Sequence, residues 1–182
     1  MRIIAGELKG RRLESPDWSG VRPTSDRLRE TLFNVLGARV RDARVLDACA
    51  GTGALGFEAL SRGARSVVFL ERELRAVSLI VSHIKRFRLL NRTEVVCGTL
   101  PGVMTDDTIA GCFDLILLDP PYETPKIDAI LSAVGRRLSP GGLLVLERHR
   151  RSSRPIGDGL NSVRVISSGQ SSLEFYEASR TA

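Results

Sequence analysis

The regular alternation of apolar strands and helical segments from residue 43 onward is the feature that most constrains how this chain can fold. Five apolar runs have strand character: ARVLDA (43–48), SVVFLE (66–71), EVVC (94–97), FDLILLD (113–119) and GLLVLE (142–147). The segments between them have helical patterns, over roughly 53–62, 73–89, 100–110 and 126–138. Apolar strands spaced by helices predict an α/β fold with a parallel sheet covered on both faces.

The C-terminal region departs from this alternation. The runs SVRVISS (162–168) and SSLEFYEA (171–178) flank Gly169 and Gln170 and alternate in polarity only in part. An antiparallel hairpin is therefore expected to finish the sheet and to bring its strands to seven.

The N-terminal region precedes the alternating pattern. The run RIIAGELKGRRLE (2–14) is broken by two glycines and predicts a small, exposed β ribbon. A helix follows, with Thr24, Ser25 or Asp26 available as its cap and Gly37 at its end. We therefore predict a ribbon extension over residues 1–20 and a second unit, the α/β domain, over residues 21–182.

The composition is that of an ordinary globular protein, with 182 residues, 42% apolar and 26% charged. No window approaches the roughly 18 apolar residues of a membrane span, and the N-terminus lacks a signal-peptide core, so a cytoplasmic protein is expected. The cysteines, Cys49, Cys97 and Cys112, are far apart and form no CxxC pair. This spacing predicts neither a disulfide framework nor a metal site.

The chain is strongly basic, with a net charge of +6 and a pI near 9.9. Of the 27 basic residues, all except Lys9, Lys85 and Lys126 are arginine, the side chain best suited to bidentate phosphate contacts. They cluster in four groups: Arg2, Lys9, Arg11 and Arg12; Arg22, Arg27 and Arg29; Lys85, Arg86, Arg88 and Arg92; Arg148, Arg150, Arg151 and Arg154. A polyanionic partner is expected.

The stretch DACAGTGALG (47–56) follows the first strand and contains the GxGxxG pattern of a dinucleotide-binding loop, with Glu71 standing 20 residues after Gly51. Glu71 suits any cofactor that carries a ribose. Asp47 discriminates between cofactors, because a carboxylate at the strand end disfavours a negative pyrophosphate. S-adenosylmethionine carries an ammonium and a sulfonium, so the same carboxylate would favour it.

The stretch FDLILLDPPY (113–122) is an apolar strand that ends in residues suited to methylating an exocyclic amine. The lone pair of such a nitrogen is delocalised into the ring, so acceptors must hold its N–H bonds and draw it towards a pyramidal geometry. Asp119 offers a side-chain acceptor and Pro120 a carbonyl, while Pro120 and Pro121 stiffen the backbone. Tyr122 offers a flat face on which an extruded base can stack.

With these motifs in place, the chain resembles the RsmD family, bacterial enzymes that methylate the exocyclic N2 of a guanine in small-subunit (16S) ribosomal RNA. The resemblance runs nearly end to end and rests on five segments: RIIAGELKGRRL, RPTSDRLRETLFNVL, LDACAGTGALGFEALSRGA, LLDPPY and SSLEFY. It implies a Rossmann-like fold, S-adenosylmethionine as cofactor, and ribosomal RNA as partner, within the small subunit or an assembly intermediate. A monomer is expected.

The resemblance also implies three groups of site residues. The cofactor site comprises Asp47, Cys49, Gly51, Thr52, Gly53, Glu71, Arg72 and Thr99. The catalytic group comprises Asp119, Pro120, Pro121 and Tyr122. RNA contacts are implied for Arg2, Lys9, Arg11, Arg12, Arg22, Thr24 and Arg27. Within the cofactor site, Glu71 would take the ribose and Arg72 would pack beside the adenine.

One segment departs from the family pattern. After the third strand, related enzymes usually place an aspartate that accepts from the adenine amino group, whereas this chain reads CGTLPG (97–102). Thr99 offers only a hydroxyl there, so we expect weaker cofactor affinity than an aspartate would give. A Thr99→Asp variant is expected to bind the cofactor more tightly.

Three other functions compete with this interpretation. An adenine-N6 or cytosine-N4 methyltransferase would use the same catalytic residues, but the chain leaves no room for a separate target-recognition domain. A dinucleotide-dependent oxidoreductase explains GxGxxG and Glu71 but gives no role to Asp47 or DPPY. A non-catalytic RNA-binding assembly protein explains the arginines, but an aromatic content of 5% provides few stacking platforms.

Overall fold

The computed structural model describes residues 1–14, 26–104 and 109–179. The strands in these residues are β1 (Arg44–Ala48), β2 (Ser66–Glu71), β3 (Thr93–Cys97), β4 (Phe113–Leu118), β5 (Leu138–His149), β6 (Leu160–Ser168) and β7 (Ser171–Ala178). The α-helices are α1 (Asp26–Leu36), α2 (Ala54–Ser61), α3 (Leu74–Phe87) and α4 (Ile127–Gly135). None of the helices in the described residues has the length and apolar character needed to cross a membrane.

All of these strands form one sheet in the order β3-β2-β1-β4-β5-β7-β6. Strands β1 to β5 run parallel, whereas β7 runs antiparallel to both β5 and β6. The predicted α/β fold and its C-terminal hairpin are thus confirmed. The chain reverses its direction of progress across the sheet between β1 and β4, and open α/β sheets bind ligands at the carboxyl ends of the strands beside such a point.

The sheet buries both of its faces, because successive side chains of a strand point to opposite sides. On one face, Val45 and Leu117 belong to a cluster that includes residues of α1, α2 and α3. On the other face, Leu46 and Ile116 belong to a cluster that includes residues of α4. This double burial explains why the strands read as continuous apolar runs in the sequence.

Residues 1–14, the N-terminal segment, pack onto the domain. The segment pairs with itself as predicted, and the Ile3 N–H donates to the Arg11 carbonyl at 3.0 Å. However, Ile3, Leu8 and Leu13 are buried in the same cluster as α1 and α2. The expected exposed ribbon is therefore exposed only through its polar side chains, because its apolar side chains complete the core.

Glu58 of α2 fixes the N-terminal segment to the domain. Its fully buried carboxylate accepts from the backbone N–H groups of Ile4 at 2.8 Å and Ala5 at 3.1 Å. The same carboxylate pairs with Arg62 at 2.8 Å and lies 3.9 Å from the guanidinium of Arg29. A buried charge is tolerated only when it is paired and hydrogen-bonded, so docking of the segment completes the environment of Glu58.

Arg29 and His83 hold the two ends of the segment. The Arg29 guanidinium, fully buried, donates to the carbonyl of Arg2 at 2.6 Å, and burial lowers its pKa. The backbone N–H of Glu14 donates to His83 Nε2 at 3.1 Å, and the His83 ring stacks on Phe87. Burial lowers the pKa of His83 to about 4, so the ring is neutral near pH 7 and can accept this hydrogen bond.

Two predicted element boundaries are wrong. The helix expected over 100–110 is a single 3-10 turn at Gly102–Met104 in the described residues, because one turn suffices to pack its apolar side chains on the sheet. Helix α4 ends at Gly135 and β5 already begins at Leu138, so the Pro-Gly-Gly run at 140–142 lies inside a strand. A register shift between β4 and β5 leaves this run outside the hydrogen-bonded ladder. Proline and glycine, which are unfavourable in a paired strand, are therefore tolerated there.

Candidate active site

Acidic residues stand at the carboxyl ends of four neighbouring strands. Asp47 lies in β1, Glu71 ends β2, Asp119 follows β4, and Glu147 lies near the end of β5. These strands are adjacent in the order β2-β1-β4-β5, so the four carboxyl groups meet at the edge where such sheets bind ligands. Asp47 and Glu147 are only 1% and 7% exposed. Because water screens these carboxyl groups little, they interact strongly with the charge of anything bound there.

Asp47 is held beneath the glycine loop. Its Oδ2 accepts from the backbone N–H of Gly56, in the first turn of α2, at 2.8 Å. Burial raises the pKa of Asp47 to about 8, the Gly56 hydrogen bond opposes this rise, and the Asp119 and Glu71 carboxylates add to it. A cation bound at the loop would favour the ionised form of Asp47, because opposite charges lower the pKa of an acid.

The glycines of the loop are required by backbone geometry and packing. Gly51 and Gly53 have φ angles of +54° and +77°, in the left-handed region that residues with a side chain rarely adopt. At Gly56, a Cβ atom would lie 2.3 Å from a ring carbon of Phe69. The GxGxxG pattern therefore brings α2 close to the sheet regardless of the ligand, and Thr52 is buried within the same turn.

Glu71 pins the glycine loop to the end of β2. Its Oε2 accepts from the Gly51 N–H at 2.7 Å, and its Oε1 accepts from the N–H groups of Arg72 at 2.8 Å and Glu73 at 2.9 Å. A carboxylate offers about four acceptor positions, so these bonds leave room for roughly one more donor. Glu71 can thus both order the loop and accept from one further hydroxyl group.

The pKa of the Cys49 thiol is affected by the acidic residues at this edge of the sheet. Cys49 is half-buried between Asp47 and the loop, with a φ of +64°. Burial, followed by the Glu71, Asp119 and Asp47 carboxylates, raises the pKa of the Cys49 thiol to about 12. The thiol therefore stays protonated at neutral pH and is not a nucleophile. The surrounding acids favour a cationic ligand over an anionic one.

The DPPY loop (residues 119–122) begins where β4 leaves the sheet. The Asp119 N–H donates to the carbonyl of Ala48 at 3.4 Å, which ties the loop to the end of β1 and so to the glycine loop. Asp119 is half-buried and Pro120 is buried, whereas Pro121 is exposed. The two predicted motifs, which are distant in sequence, are thus neighbours in the structure.

Tyr122 is held by residues from the C-terminal half of the sheet. Its hydroxyl lies 2.7 Å from Ser171 Oγ and 3.5 Å from Glu147 Oε1. Its ring meets the ring of His149 edge to face, with 5.4 Å between centroids. These contacts set the orientation of the Tyr122 ring.

Two cavities flank the DPPY loop. The larger, of about 340 Å³, is lined by residues that include Pro120, Tyr122, Ile127, Leu146 and Glu147. The smaller, of about 190 Å³, is lined by residues that include Leu32, Leu55, Asp119 and Glu147. Glu147 lines both, so it stands between the Asp119 carboxylate and the apolar cleft beside Tyr122.

Comparison with known proteins identifies the family. The profile of the family "Conserved hypothetical protein 95" matches residues 1–177. The chain is 34% identical to "Putative rRNA methyltransferase YlbH" of Bacillus subtilis over 97% of this chain and 98% of that protein. It is 33% identical to "Ribosomal RNA small subunit methyltransferase D" of Haemophilus influenzae over 97% and 93%. The chain belongs to the RsmD family.

A solved structure supports the same placement. "Putative methyltransferase yhhF" from Escherichia coli superposes with a TM-score of 0.87 and 28% sequence identity, covering 100% of this chain and 99% of that one. The resemblance to the RsmD family is thus confirmed, and so is the prediction of a Rossmann-like methyltransferase fold.

The positions that the RsmD resemblance assigns to the cofactor adenine lie beyond β2 and β3. Arg72 and Thr99 are both exposed. The Gly98 N–H donates to the Glu71 carbonyl at 3.0 Å, and Cys97 Sγ lies 3.9 Å from the Arg72 carbonyl. The turn after β3 is therefore fastened beside Glu71, and the structure brings the predicted ribose and adenine residues together.

The residues implied in RNA contact divide into two sets. Arg2, Lys9, Arg11, Arg12 and Arg27 are exposed, whereas Arg22 and Thr24 lie outside the described residues. Arg86, near the end of α3, donates to the Arg12 carbonyl and pairs with Glu14 at 3.0 Å. We call the exposed set Lys9, Arg11, Arg12, Lys85, Arg86 and Arg88 the N-terminal basic surface. Arg29, which sequence clustering groups with Arg27, is buried and structural.

Sequence reasoning did not single out Glu147, His149 or Ser171, although all three surround Tyr122. The signal for Glu147 was present, because it ends the run GLLVLE as Glu71 ends SVVFLE. An acid that terminates an apolar strand of a parallel sheet lies at the ligand-binding edge. Ser171 and His149 carry no such signal, because only the antiparallel pairing of β5 with β7 brings them to the site.

Proposed function

We propose that this protein transfers a methyl group from S-adenosylmethionine to the exocyclic N2 amine of a guanine in small-subunit (16S) ribosomal RNA. Family membership and the names of the relatives support ribosomal RNA as the substrate class. One observation supports methyl transfer to an amine as the reaction type: the two motifs meet at one edge of the sheet. There the backbone N–H of Asp119 donates to the carbonyl of Ala48, beside the glycine loop. The guanine target and the small subunit as the physiological substrate follow from the RsmD resemblance.

The cofactor proposal is supported by the charge of the site. Asp47, Glu71 and Asp119 lie close enough together that all three raise the pKa of the Cys49 thiol. Their negative charge favours an ammonium or sulfonium at this edge and disfavours a pyrophosphate. Glu71 retains about one acceptor position for a ribose hydroxyl, and the backbone of Gly51 and Gly53 allows close approach of a ligand. S-adenosylmethionine, when bound, supplies an electrophilic methyl group.

The chain's part in the transfer is to hold and orient the amine. Asp119 and the Pro120 carbonyl would accept the two N–H bonds of the target nitrogen and direct its lone pair towards the methyl group. Buried Pro120 and the fixed β4 terminus keep these acceptors in place before substrate arrives, so little reorganisation is needed. Tyr122, held by Ser171, would stack on the base.

The RNA surface is proposed to include the exposed basic residues of the N-terminal segment. Arg2, Lys9, Arg11 and Arg12 are exposed there, and Arg27 is exposed at the start of α1. With Arg22 and Thr24 they would contact the ribose-phosphate backbone and so position the substrate without reading its sequence. Arg86 extends this surface beyond the residues that the resemblance implies.

Calorimetric titration of the protein with S-adenosylmethionine and, separately, with NAD tests the cofactor assignment. We expect binding of S-adenosylmethionine with release of protons near pH 7, because a bound cation favours ionised Asp47, whose pKa is about 8 in the free protein. Repeating the titration in buffers of different ionisation enthalpy measures these protons. Binding of NAD alone would overturn the proposal and return the glycine loop to its dinucleotide interpretation.

A further inference from the structure

The loop between β5 and β6 carries a basic group to which the proposed function gives no role. We call this segment, residues 150–159, the arginine loop, and its sequence is RRSSRPIGDG. Arg150, Arg151 and Arg154 are all exposed, and Asp158 is the only acidic residue in the loop sequence. The arginine loop therefore presents net positive charge to the solvent.

The arginine loop lies beside the DPPY loop. Ser152 and Pro155 line the larger cleft, of about 340 Å³, together with Tyr122. The backbone N–H of Arg151 donates to His149 Nδ1 at 3.2 Å, and the His149 ring meets the Tyr122 ring edge to face. The positive charge of the loop thus stands at the rim of the cleft that contains Tyr122.

The backbone of the arginine loop is fixed at both ends. At its start, the Arg150 N–H donates to the carbonyl of Gln170 at 2.7 Å. Towards its end, the Ile156 N–H donates to Asp128 Oδ1, in the first turn of α4, at 2.7 Å. Because the backbone is already ordered, a ligand that binds the loop would lose less free energy to ordering it.

The arginines at this end of β5 divide into two pairs. Arg148 and Arg154 form ion pairs with Glu174 at 3.0 Å and 3.5 Å, and the Glu174 side chain is only 1% exposed. These two arginines therefore neutralise a buried carboxylate. Among the described residues, Arg150 and Arg151 have no carboxylate within ion-pair distance, so their guanidinium groups are available to a ligand.

The phosphates of an RNA chain match these two guanidinium groups, because arginine binds phosphate oxygens with two parallel hydrogen bonds. A base that leaves its stack stays joined to its ribose and to the phosphates on either side. A base stacked on Tyr122 would bring those phosphates to the rim of the cleft. The N-terminal basic surface lies at the far end of α3, a helix about 21 Å long, and so cannot serve them.

We propose that the arginine loop is a second RNA-binding surface, in which Arg150 and Arg151 bind the phosphates that flank the target nucleotide. This inference rests on the proposed function. The N-terminal basic surface would hold a distant part of the RNA, whereas the arginine loop positions the nucleotide that reacts. Such contacts position the substrate without reading its sequence.

Neutralising single phosphates tests this directly. The wild-type protein first methylates unmodified small ribosomal subunits, and the product identifies the target nucleotide. Small subunits are then assembled from ligated RNA with an uncharged methylphosphonate on one side or the other of that nucleotide. Each methylphosphonate follows a 2′-deoxyribose, which keeps the chain stable, and the reference RNA carries the same deoxyribose with an ordinary phosphate. The kcat/KM is measured for each pair of substrates.

Neutralising at least one flanking phosphate should lower the kcat/KM of wild type by about tenfold or more relative to the reference RNA. In the variant with both Arg150→Ala and Arg151→Ala, the same neutralisation should cost less than about twofold, because the contact is already lost. The variant with Arg150→Lys and Arg151→Lys keeps the charge and should stay sensitive. Each sensitivity is a ratio within one preparation, so it is independent of how much of the variant is folded.

The variant with Arg11→Ala and Arg12→Ala is the matched control, because it removes the same charge from the N-terminal basic surface. It should keep the full sensitivity to the flanking phosphates. Equal sensitivity in wild type and the Arg150 and Arg151 alanine variant, or a wild type insensitive to both phosphates, would overturn the inference and leave the proposed function intact. Failure of wild type to methylate a guanine of the small subunit would instead overturn the proposed function, and this inference with it.

Discussion

At the scale of single residues, the carboxyl groups at the strand ends decide what the site can bind. Asp47 is almost fully buried, and its hydrogen bond to Gly56 does not offset the effect of burial on its pKa, which is about 8. In the ligand-free protein, near pH 7, Asp47 is therefore largely protonated. A cationic ligand stabilises the charged form, which links binding at the glycine loop to proton release.

Replacing Asp47 by asparagine should change how stability depends on pH. The folded-state pKa of about 8 lies above the ordinary value of 3.8, so the folded protein binds more protons than the unfolded chain and loses stability as pH rises through this window. His83, with a pKa lowered from 6.5 to about 4, acts in the opposite direction but only below pH 6.5. The effect of Asp47 is therefore isolated between pH 6.5 and 8.

In that window, the free energy of unfolding of wild type should fall relative to Asp47→Asn by up to about 1.4 kcal/mol per pH unit. Urea denaturation at several pH values measures this difference. Asp158→Asn removes the same charge from an exposed position and should follow wild type. Parallel curves for wild type and Asp47→Asn would show that burial does not control this carboxyl group.

The sequence predicts the identity of the strand-end residues better than their contacts. Asp47, Glu71 and Asp119 are recognisable because each ends an apolar run. The bond from Gly56 to Asp47 and the three amides that bind Glu71 depend on the loop conformation, which local patterns do not specify. The dual role of Glu71, in ordering the loop and in offering one acceptor, is visible only in the structure.

At the scale of elements, α2 links the glycine loop to the N-terminal segment. Its first turn carries Gly56, which binds Asp47, and later in the same helix Glu58 binds the backbone of Ile4 and Ala5. A change in how the segment docks therefore acts on the helix that supports the glycine loop.

Glu58→Ala should destabilise the protein by about 3–5 kcal/mol, because it leaves the backbone N–H groups of Ile4 and Ala5 without their acceptor and removes the carboxylate that lies 3.9 Å from the buried Arg29 guanidinium. Denaturant unfolding measures the loss. Arg62→Ala, which removes only the outer partner of Glu58, should cost much less, since the Arg62 side chain is 16% exposed and its loss leaves the amide contacts in place. Equal losses in the two variants would mean that the hydrogen bonds from Ile4 and Ala5 to Glu58 add no stability beyond the Glu58–Arg62 pair.

The element pattern was predictable wherever the apolar runs were long. The core strands lie close to where the sequence places them, because burial on both faces leaves a continuous apolar signature. The pattern fails where tertiary packing overrides local preference. Residues 100–104 form one turn against the sheet, and β5 continues through a Pro-Gly-Gly run that bulges out of the ladder. Ile3, Leu8 and Leu13 follow neither strand nor helix periodicity, so their burial was not foreseen.

At the scale of the whole molecule, the N-terminal basic surface and the glycine loop lie at opposite ends of α3. Helix α3 starts just after Glu71, whereas Arg86 stands at its end beside Arg12. A helix of 14 residues is about 21 Å long. RNA that reaches both the proposed catalytic group and this surface must therefore span roughly that distance, and we expect binding of RNA and of cofactor to be separable by mutation.

Replacing Arg11 and Arg12 together by alanine should weaken binding of ribosomal RNA and flatten its salt dependence, with the slope of log K against log salt falling by about 1.5. Affinity for S-adenosylmethionine should not change, because the surface lies far from Glu71. Filter binding at several salt concentrations measures the slope. An alanine pair at Arg136 and Arg164, exposed positions on α4's end and β6, provides the control. Unchanged RNA affinity in the Arg11 and Arg12 variant would remove the N-terminal segment from the RNA surface.

The measurement that tests the central claim most directly is transfer of an isotope-labelled methyl group from S-adenosylmethionine to unmethylated small ribosomal subunits, followed by nucleoside digestion and mass spectrometry. Wild type should place the label in N2-methylguanosine. Asp119→Ala should bind the cofactor yet transfer at least about 100-fold more slowly, because it lacks the acceptor for the amine. Label in a different nucleoside, or undiminished transfer by Asp119→Ala, would contradict the account.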